Sequence, residues 1–226
     1  MAAQQFETDI IKSSAGDIKI TFIGHGTLMI QTSDKVIHID PWSKLADYAK
    51  LAQADIILIT HEHVDHLDPK AVKQIRTEKT TVLLTKPCAL KIEDGIIMAN
   101  GDTKTVKEIK IAAVPAYNIK HRSPDGALYH PEGVGNGYIL TIGETRIYIA
   151  GDTENTPEMK AIKDIDIAFL PMNLPYTMTP EMVADAAKAF KPKVLYPYHY
   201  SETDPSKLTA LLAKNKEIEV RIRKMK

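Results

Sequence analysis

His61-Glu62-His63-Val64-Asp65-His66, directly after the apolar run Asp55-Ile56-Ile57-Leu58-Ile59-Thr60, places three imidazoles and two carboxylates within six positions. Imidazole and carboxylate are the donors that suit zinc, iron or manganese, so this stretch is a metal site in outline. Residues two apart on an extended backbone point the same way. His61 and His63 can therefore grip one ion, while Asp65 and His66 face a second. Glu62 and Val64 alternate away and are set aside as ligands. Just downstream, Asp68-Pro69 reads as a helix N-cap and first helical residue leading into Lys70–Arg76, which puts the cluster on a strand-to-helix loop.

Working outward, runs rich in Ile and Val at Ile18–Ile23, Thr27–Gln31, Lys35–Ile39 and Asp55–Thr60 open the chain as a β-meander. Further strands are expected at Thr81–Leu84, Ile96–Met98, Thr105–Val114, Tyr138–Ile142, Arg146–Ala150, Ile165–Leu170, Val194–Tyr196 and Glu217–Ile222. Helices are expected over Pro157–Ile162, Pro180–Phe190 and Pro205–Lys214, each starting near a proline. Two strand-to-Asp patterns echo each other. Asp40 ends one strand and Asp55 begins the next, 15 positions on; Asp152 and Asp166 do the same at 14. Two halves of this kind can pack sheet on sheet with helices outside. Chance is the competing explanation, because strand-to-Asp turns are common.

Two more strand ends carry ligand types. In Gly151-Asp152-Thr153 the aspartate follows an apolar strand, and its two oxygens can bridge ions about 3.5–4 Å apart. Val194-Leu195-Tyr196-Pro197-Tyr198-His199 runs a strand into a histidine. Singly, these are a plain turn and an aromatic-packed loop residue. Three strand ends bearing His or Asp outweigh that.

The 226 residues are 44% hydrophobic and 26% charged, which fits one compact domain over 1–226 rather than a disordered chain. Twenty-nine basic residues balance 29 acidic ones, so no global field draws the chain to nucleic acid or an anionic membrane. Cys88 stands alone, ruling out an intrachain disulfide and suiting a reducing, cytoplasmic setting. Met1–Glu7 has neither a basic start nor an apolar stretch, and no segment nears the roughly 20 apolar residues of a membrane span.

With these residues in place, the chain resembles the metallo-β-lactamase fold superfamily. His61-Glu62-His63-Val64-Asp65-His66 matches its His-x-His-x-Asp-His signature, Gly151-Asp152-Thr153 its bridging aspartate and Pro197-Tyr198-His199-Tyr200 its terminal histidine. Gly24-His25-Gly26, Asp40-Pro41 and Tyr176-Thr177-Met178 are similar to the ascorbate-6-phosphate lactonase-like hydrolases, and also to the phosphodiesterase that cleaves N-acyl phosphatidylethanolamine. The resemblance runs from about Ile18 to Glu202. It implies an α/β fold, a four-layer αββα sandwich of two mixed β-sheets, with the site at one edge of both. The implied cofactor is a pair of divalent ions, zinc first, manganese or iron otherwise.

One departure stands out. Members of that superfamily usually carry a histidine ligand in a Val-x-Ala-x-His context, where Val114-Pro115-Ala116-Tyr117-Asn118 offers Asn118. His121 and His130, in the Lys120–Gly137 loop, are the candidates to replace it. His130 is preferred because it precedes Gly133–Gly137 and the return strand; the alternative leaves it as a pocket residue and makes single-ion occupancy the expectation. The candidate ligands are thus His61, His63, Asp65, His66, His130, Asp152 and His199, with Asp65 and His25 assigned to the reaction itself. His25, between two glycines, can orient a ligand or contact substrate; a solvated turn is the competing reading. Asp40 is the expected carboxylate behind a ligating imidazole, and His38 a structural polar residue. The basic run Lys120-His121-Arg122 lies in the long Tyr117–Asn136 loop, where it can receive an anionic group or stay solvated. The closing alternation of Val220 and Ile222 with Arg221 and Arg223 asks only for an edge strand with one wet face.

The expected function is a metal-dependent hydrolase that cleaves an ester, lactone or phosphoester of a small, optionally anionic, molecule with a metal-bound hydroxide. One rival is a phosphodiesterase acting on nucleic acid or phospholipid, against which stands the absence of a basic excess or a membrane-binding segment. A non-catalytic metal-binding protein on the same fold is another. Class B β-lactamases carry a cysteine ligand where Asp152 stands, which argues against that activity. Self-association is left open.

Overall fold

The computed structural model describes residues 5–32 and 34–226; the reading of Met1–Gln4 lies outside the described residues. Alternating Ile and Val build the first sheet from β1 (Glu7–Ile11), β2 (Ile18–Gly24), β3 (Thr27–Gln31), β4 (Val36–Ile39), β5 (Ile56–Leu58), β6 (Thr81–Leu84) and β7 (Ile96–Ile97), neighbours in that order. A second sheet runs from β8 (Thr103–Val106) through β9 (Ile109–Ala116), β10 (Gly135–Ile142), β11 (Thr145–Ile149), β12 (Ile167–Pro171) and β13 (Val194–Tyr198) to β14 (Glu219–Val220). In both, the first four strands are antiparallel and the last three join in parallel. Parallel neighbours need crossovers. Helices α1 (Pro69–Ile75), α2 (Pro157–Ala161), α3 (Pro180–Phe190) and α4 (Ser206–Leu211) supply four of them, and short 3-10 turns at Tyr48–Lys50 and Cys88–Leu90 the others.

The period-two pattern divides each strand between two layers. Ile37, Ile39, Ile56 and Leu58 join the core shared by both sheets, while Ile57 and Ile59 pack outward with Ala71, Val72 and Ile75 of α1. Across the molecule, α3 buries Val183, Ala187 and Phe190, with Phe190 edge-on to Tyr148 at 6.0 Å. The result is the expected αββα sandwich. Each fully buried Ile or Leu contributes roughly 1.5–3 kcal/mol, so the inter-sheet layer dominates stability. Helix α1 begins as its sequence dictates: Asp68 accepts from the backbone of Lys70 at 2.9 Å and Ala71 at 3.3 Å.

The echoed aspartates do the same work in both halves. Asp55 accepts the backbone N–H of Val36 at 2.9 Å, and Asp166 that of Arg146 at 2.8 Å. Each thereby locks the first residues of two parallel neighbours. The expected meander stops at β4, because β5 joins it in parallel through a crossover, and the spans differ most in three places. Thr105–Val114 is a hairpin, β8 and β9, because Lys107 and Glu108 both adopt positive φ (48° and 67°) and turn the chain. Strand β1 was not expected, since its Glu7 and Asp9 mask the alternation. Last, β14 is only two residues long, and Arg221 and Arg223 are not a wet face. Both reach Asp9 on β1, Arg223 at 2.8 Å and Arg221 at 3.5 Å, and Tyr196 donates to the same carboxylate at 2.5 Å, tying the edges of the sheets together.

Candidate metal centre

The centre forms where β4, β5, β11 and β13 end, at the carboxyl edge common to ligand sites of parallel strands. Its anchor is Asp40, fully buried and at positive φ (44°). One oxygen accepts the backbone N–H of Thr60 at 2.8 Å; the other accepts the Thr60 hydroxyl at 2.6 Å and His66 Nδ1 at 2.7 Å. Thr60 Oγ1 in turn lies 3.0 Å from His61 Nδ1. One carboxylate therefore orients His66 directly and His61 through Thr60. His25 and His199 also sit at positive φ (52° and 47°), a conformation held only where surroundings impose it. Between them, Gly26 has no room for a side chain: a Cβ would lie 2.7 Å from His66 Cε1 and 3.4 Å from His199 Cδ2.

Six of the eight histidines converge here with Asp65 and Asp152. His61, His63 and His130 form one group, with His61 Nε2 and His63 Nδ1 only 3.1 Å apart. Asp65, His66, His199 and His25 form the other. Asp152 lies between, 3.3 Å from His130 Nε2, 3.6 Å from His66 Nε2 and His199 Nε2, and 4.0 Å from His61 Nε2. His25 Nε2 is 3.1 Å from Asp65, and its ring lies 3.7 Å from that of His199, so it braces two members of its group.

The donors fit a metal. His66 Nε2, His130 Nε2, His199 Nε2 and Asp152 Oδ1 are buried and lack a hydrogen-bond partner, yet they face one another. Buried polar atoms are normally paired, and one or two cations placed among these four would satisfy them all. The set is all nitrogen and oxygen, suited to zinc, iron or manganese. Burial alone would push the Asp152 carboxyl up, but the nearby His199 and His66 hold it well below the usual carboxylate range. Burial likewise pulls His66 down, but Asp152 and Asp40 outweigh it and raise the imidazole to about 9. Burial and the neighbouring His66 push His61 well below its ordinary value, so it offers a lone pair.

Asn118 does not face this space. Its Oδ1 lies 2.5 Å from His130 Nδ1, and its amide nitrogen donates to Glu154 at 3.2 Å and to the Tyr176 carbonyl at 2.9 Å. Glu154, fully buried, accepts the backbone N–H groups of Ile119 and Lys120 at 2.9 Å and of His121 at 2.6 Å. Burial raises the Glu154 pKa, but these bonds win and lower it. The loop is thus folded onto Glu154, which turns His130 inward and holds the His121 imidazole 2.8 Å from the same carboxylate, outside both groups. Of the basic run, His121 is held on Glu154 and Arg122 donates to the Gly126 carbonyl within its own loop. His38 is buried, 2.9 Å from the Ala52 carbonyl.

Beside the centre lies a cavity of about 450 Å³ whose walls include His25, Trp42, Val64, Tyr129, Asn173 and Tyr176. Sequence reasoning passed over Trp42, Tyr129 and Asn173, as well as Thr60 and Glu154. Signals existed for some: Trp42 follows Asp40-Pro41, Glu154 follows Gly151-Asp152-Thr153, and Asn173 lies two residues beyond the strand that echoes β5.

A model of the beta-lactamase superfamily domain matches residues 19–199. A UPF0173 metal-dependent hydrolase of Thermococcus kodakarensis is 33% identical over 202 residues, 83% of this chain and 87% of the relative. A crystallised protein of Parabacteroides distasonis, assigned as a metal-dependent hydrolase, is 49% identical with a TM-score of 0.93, covering 98% of this chain and 100% of that one. Igni18, a metallo hydrolase from Ignicoccus hospitalis, is 26% identical with a TM-score of 0.75, covering 91% and 94%. None of these singles out the ascorbate-6-phosphate lactonase-like branch, so that narrower placement stays a resemblance. With its His-x-His-x-Asp-His loop, Asp152 and His199 gathered at one edge of two mixed sheets, the chain belongs to the UPF0173 metal-dependent hydrolases of the metallo-β-lactamase superfamily.

Proposed function

We propose that the chain hydrolyses a small molecule with two divalent ions, zinc first and manganese or iron as alternatives. The observation that carries this reading is the convergence of four unpartnered buried donors on His66, His130, His199 and Asp152. His61, His63 and His130 would hold one ion, and Asp65, His66 and His199 the other, with Asp152 between. When bound, such ions lower the pKa of water from about 15.7 toward neutrality and polarise a carbonyl or phosphoryl oxygen.

The chain's own residues fix the rest. Asp40 and Thr60 set the orientations of His66 and His61, and Asn118 that of His130. His25 borders the cavity and holds Asp65 through Nε2. Burial, outweighing Asp65, keeps its pKa below the usual histidine range, so near pH 7 it is neutral and holds its single ring proton toward Asp65. The leaving group takes the proton that the attacking water gives up. A reducing, cytoplasmic setting belongs to the same proposal, supported by the single buried thiol of Cys88.

Chelator-stripped and zinc-reloaded protein, assayed on esters, lactones and phosphodiesters, tests the reading. Hydrolysis that appears on reloading and is absent from a His61→Ala/His63→Ala variant supports it; a fully loaded chain inert on all three classes contradicts it.

A further inference from the structure

The cavity beside the centre says which molecules fit. We infer that the substrate is a neutral carboxylic ester or lactone whose non-reacting part is uncharged and apolar, seated against Trp42, Val64, Tyr129 and Tyr176. This inference rests on the hydrolase reading above. Val64 is 70% exposed and Tyr176 44%, and both border the same cavity as Trp42, so a ligand seated there would cover apolar surface from all three. Tyr129 and Tyr176 stand edge-on at 4.9 Å, and Trp42 lies 5.4 Å from the His25 ring. A volume of about 450 Å³ takes a molecule of roughly a dozen heavy atoms with room to spare.

Charge narrows the choice. Among the described residues, no Lys or Arg lines the cavity. Lys44 places its ammonium 5.2 Å over the Trp42 ring but borders a different cavity, and the Arg122 guanidinium is engaged by Gly126. Bound ions would meet a reacting group of either sign, so they do not discriminate. What lies beyond the reacting group does. An anionic tail would be desolvated against aromatic faces with no cation to receive it. A neutral tail instead covers Val64 and Tyr176. In the reaction, the water oxygen bonds to the carbonyl carbon and the bond from that carbon to the alkoxy oxygen breaks. The alcohol leaves with the proton the water gave up.

A matched pair tests this: methyl hexanoate against monomethyl adipate, which differ in a terminal methyl or carboxylate, followed by acid release with zinc-loaded protein. The two share their methylenes and differ only in the terminal group, so with the carboxylate desolvated and unpaired kcat/KM for the hexanoate should exceed that for the adipate by about tenfold or more. Tyr176→Arg should reverse the preference. Binding gives a readout independent of catalysis, because Trp42 is the only tryptophan. Heptan-2-one, the ketone counterpart of methyl hexanoate, should change Trp42 fluorescence saturably in loaded and chelator-stripped protein alike, and 6-oxoheptanoate should not. Equal or stronger response to the charged member of either pair overturns the inference, as does no response to heptan-2-one. A chain that binds heptan-2-one but no metal overturns the hydrolase reading and leaves the neutral-ligand pocket standing.

Discussion

Asn118 Oδ1 lies 2.5 Å from His130 Nδ1, so the residue that occupies the superfamily's usual histidine position supports a histidine brought in from the following loop. Glu154 completes the arrangement by binding Asn118 and three successive backbone N–H groups of that loop. The third imidazole of the His61/His63 group is supplied by loop folding rather than by the strand end.

Asn118→Ala should weaken binding at the His61/His63/His130 group by about 10- to 100-fold, the usual effect of removing a hydrogen bond behind a ligating histidine. Competition titration with a zinc-binding dye measures it. An unchanged affinity would make Asn118 a loop residue only.

Asp40 should matter to both groups, since it touches His66 directly and His61 through Thr60. Asp40→Asn should weaken both zinc-binding steps in the same titration and lower the unfolding free energy of the metal-free chain by about 1–3 kcal/mol. Thr60→Val should weaken the His61 step more than the His66 step. If both variants act identically, the two branches are not separate.

Gly26→Ala should leave the fold intact and cost the ion of the Asp65/His66/His199 group, because the new Cβ displaces His66 and His199. Circular dichroism and zinc content together read this out; a fully loaded variant would contradict it.

Acid stability should depend on Asp9. Burial raises its pKa, but hydrogen bonds from Tyr196 and Arg223 prevail and hold it below the usual 3.8. A depressed carboxyl stabilises the fold above its unfolded pKa, and that stability is lost as pH falls through the lower folded value. Asp9→Asn should therefore cost about 2 kcal/mol at pH 7 and progressively less below about pH 4. Urea midpoints of the two proteins, metal-free, at pH 7, 5, 4 and 3 give the comparison. A gap that stays constant with pH would remove Asp9 from the account.

Much of this was legible in the sequence because apolar periodicity and ligand density are local signals. The strand ends at Asp40, His61, Asp152 and His199 announce themselves, as does the Asp68-Pro69 helix start. What stayed hidden depends on contacts between distant segments. Strand β1 owes its place to β2 and to Asp9 pairing with residues more than 200 positions away. The hairpin at Lys107-Glu108 lacks the Gly or Asn that usually marks such a turn. The choice between His121 and His130 was decided by Glu154, whose role no spacing reveals, and the cavity walls come from seven separate stretches of the chain.

The most direct measurement is metal content per chain after the purified protein is stripped, incubated with excess zinc and desalted, read by plasma mass spectrometry. The account predicts two ions per folded wild-type chain and at most one in His61→Ala/His63→Ala. A folded wild type that remains empty after zinc, manganese and iron in turn would contradict it.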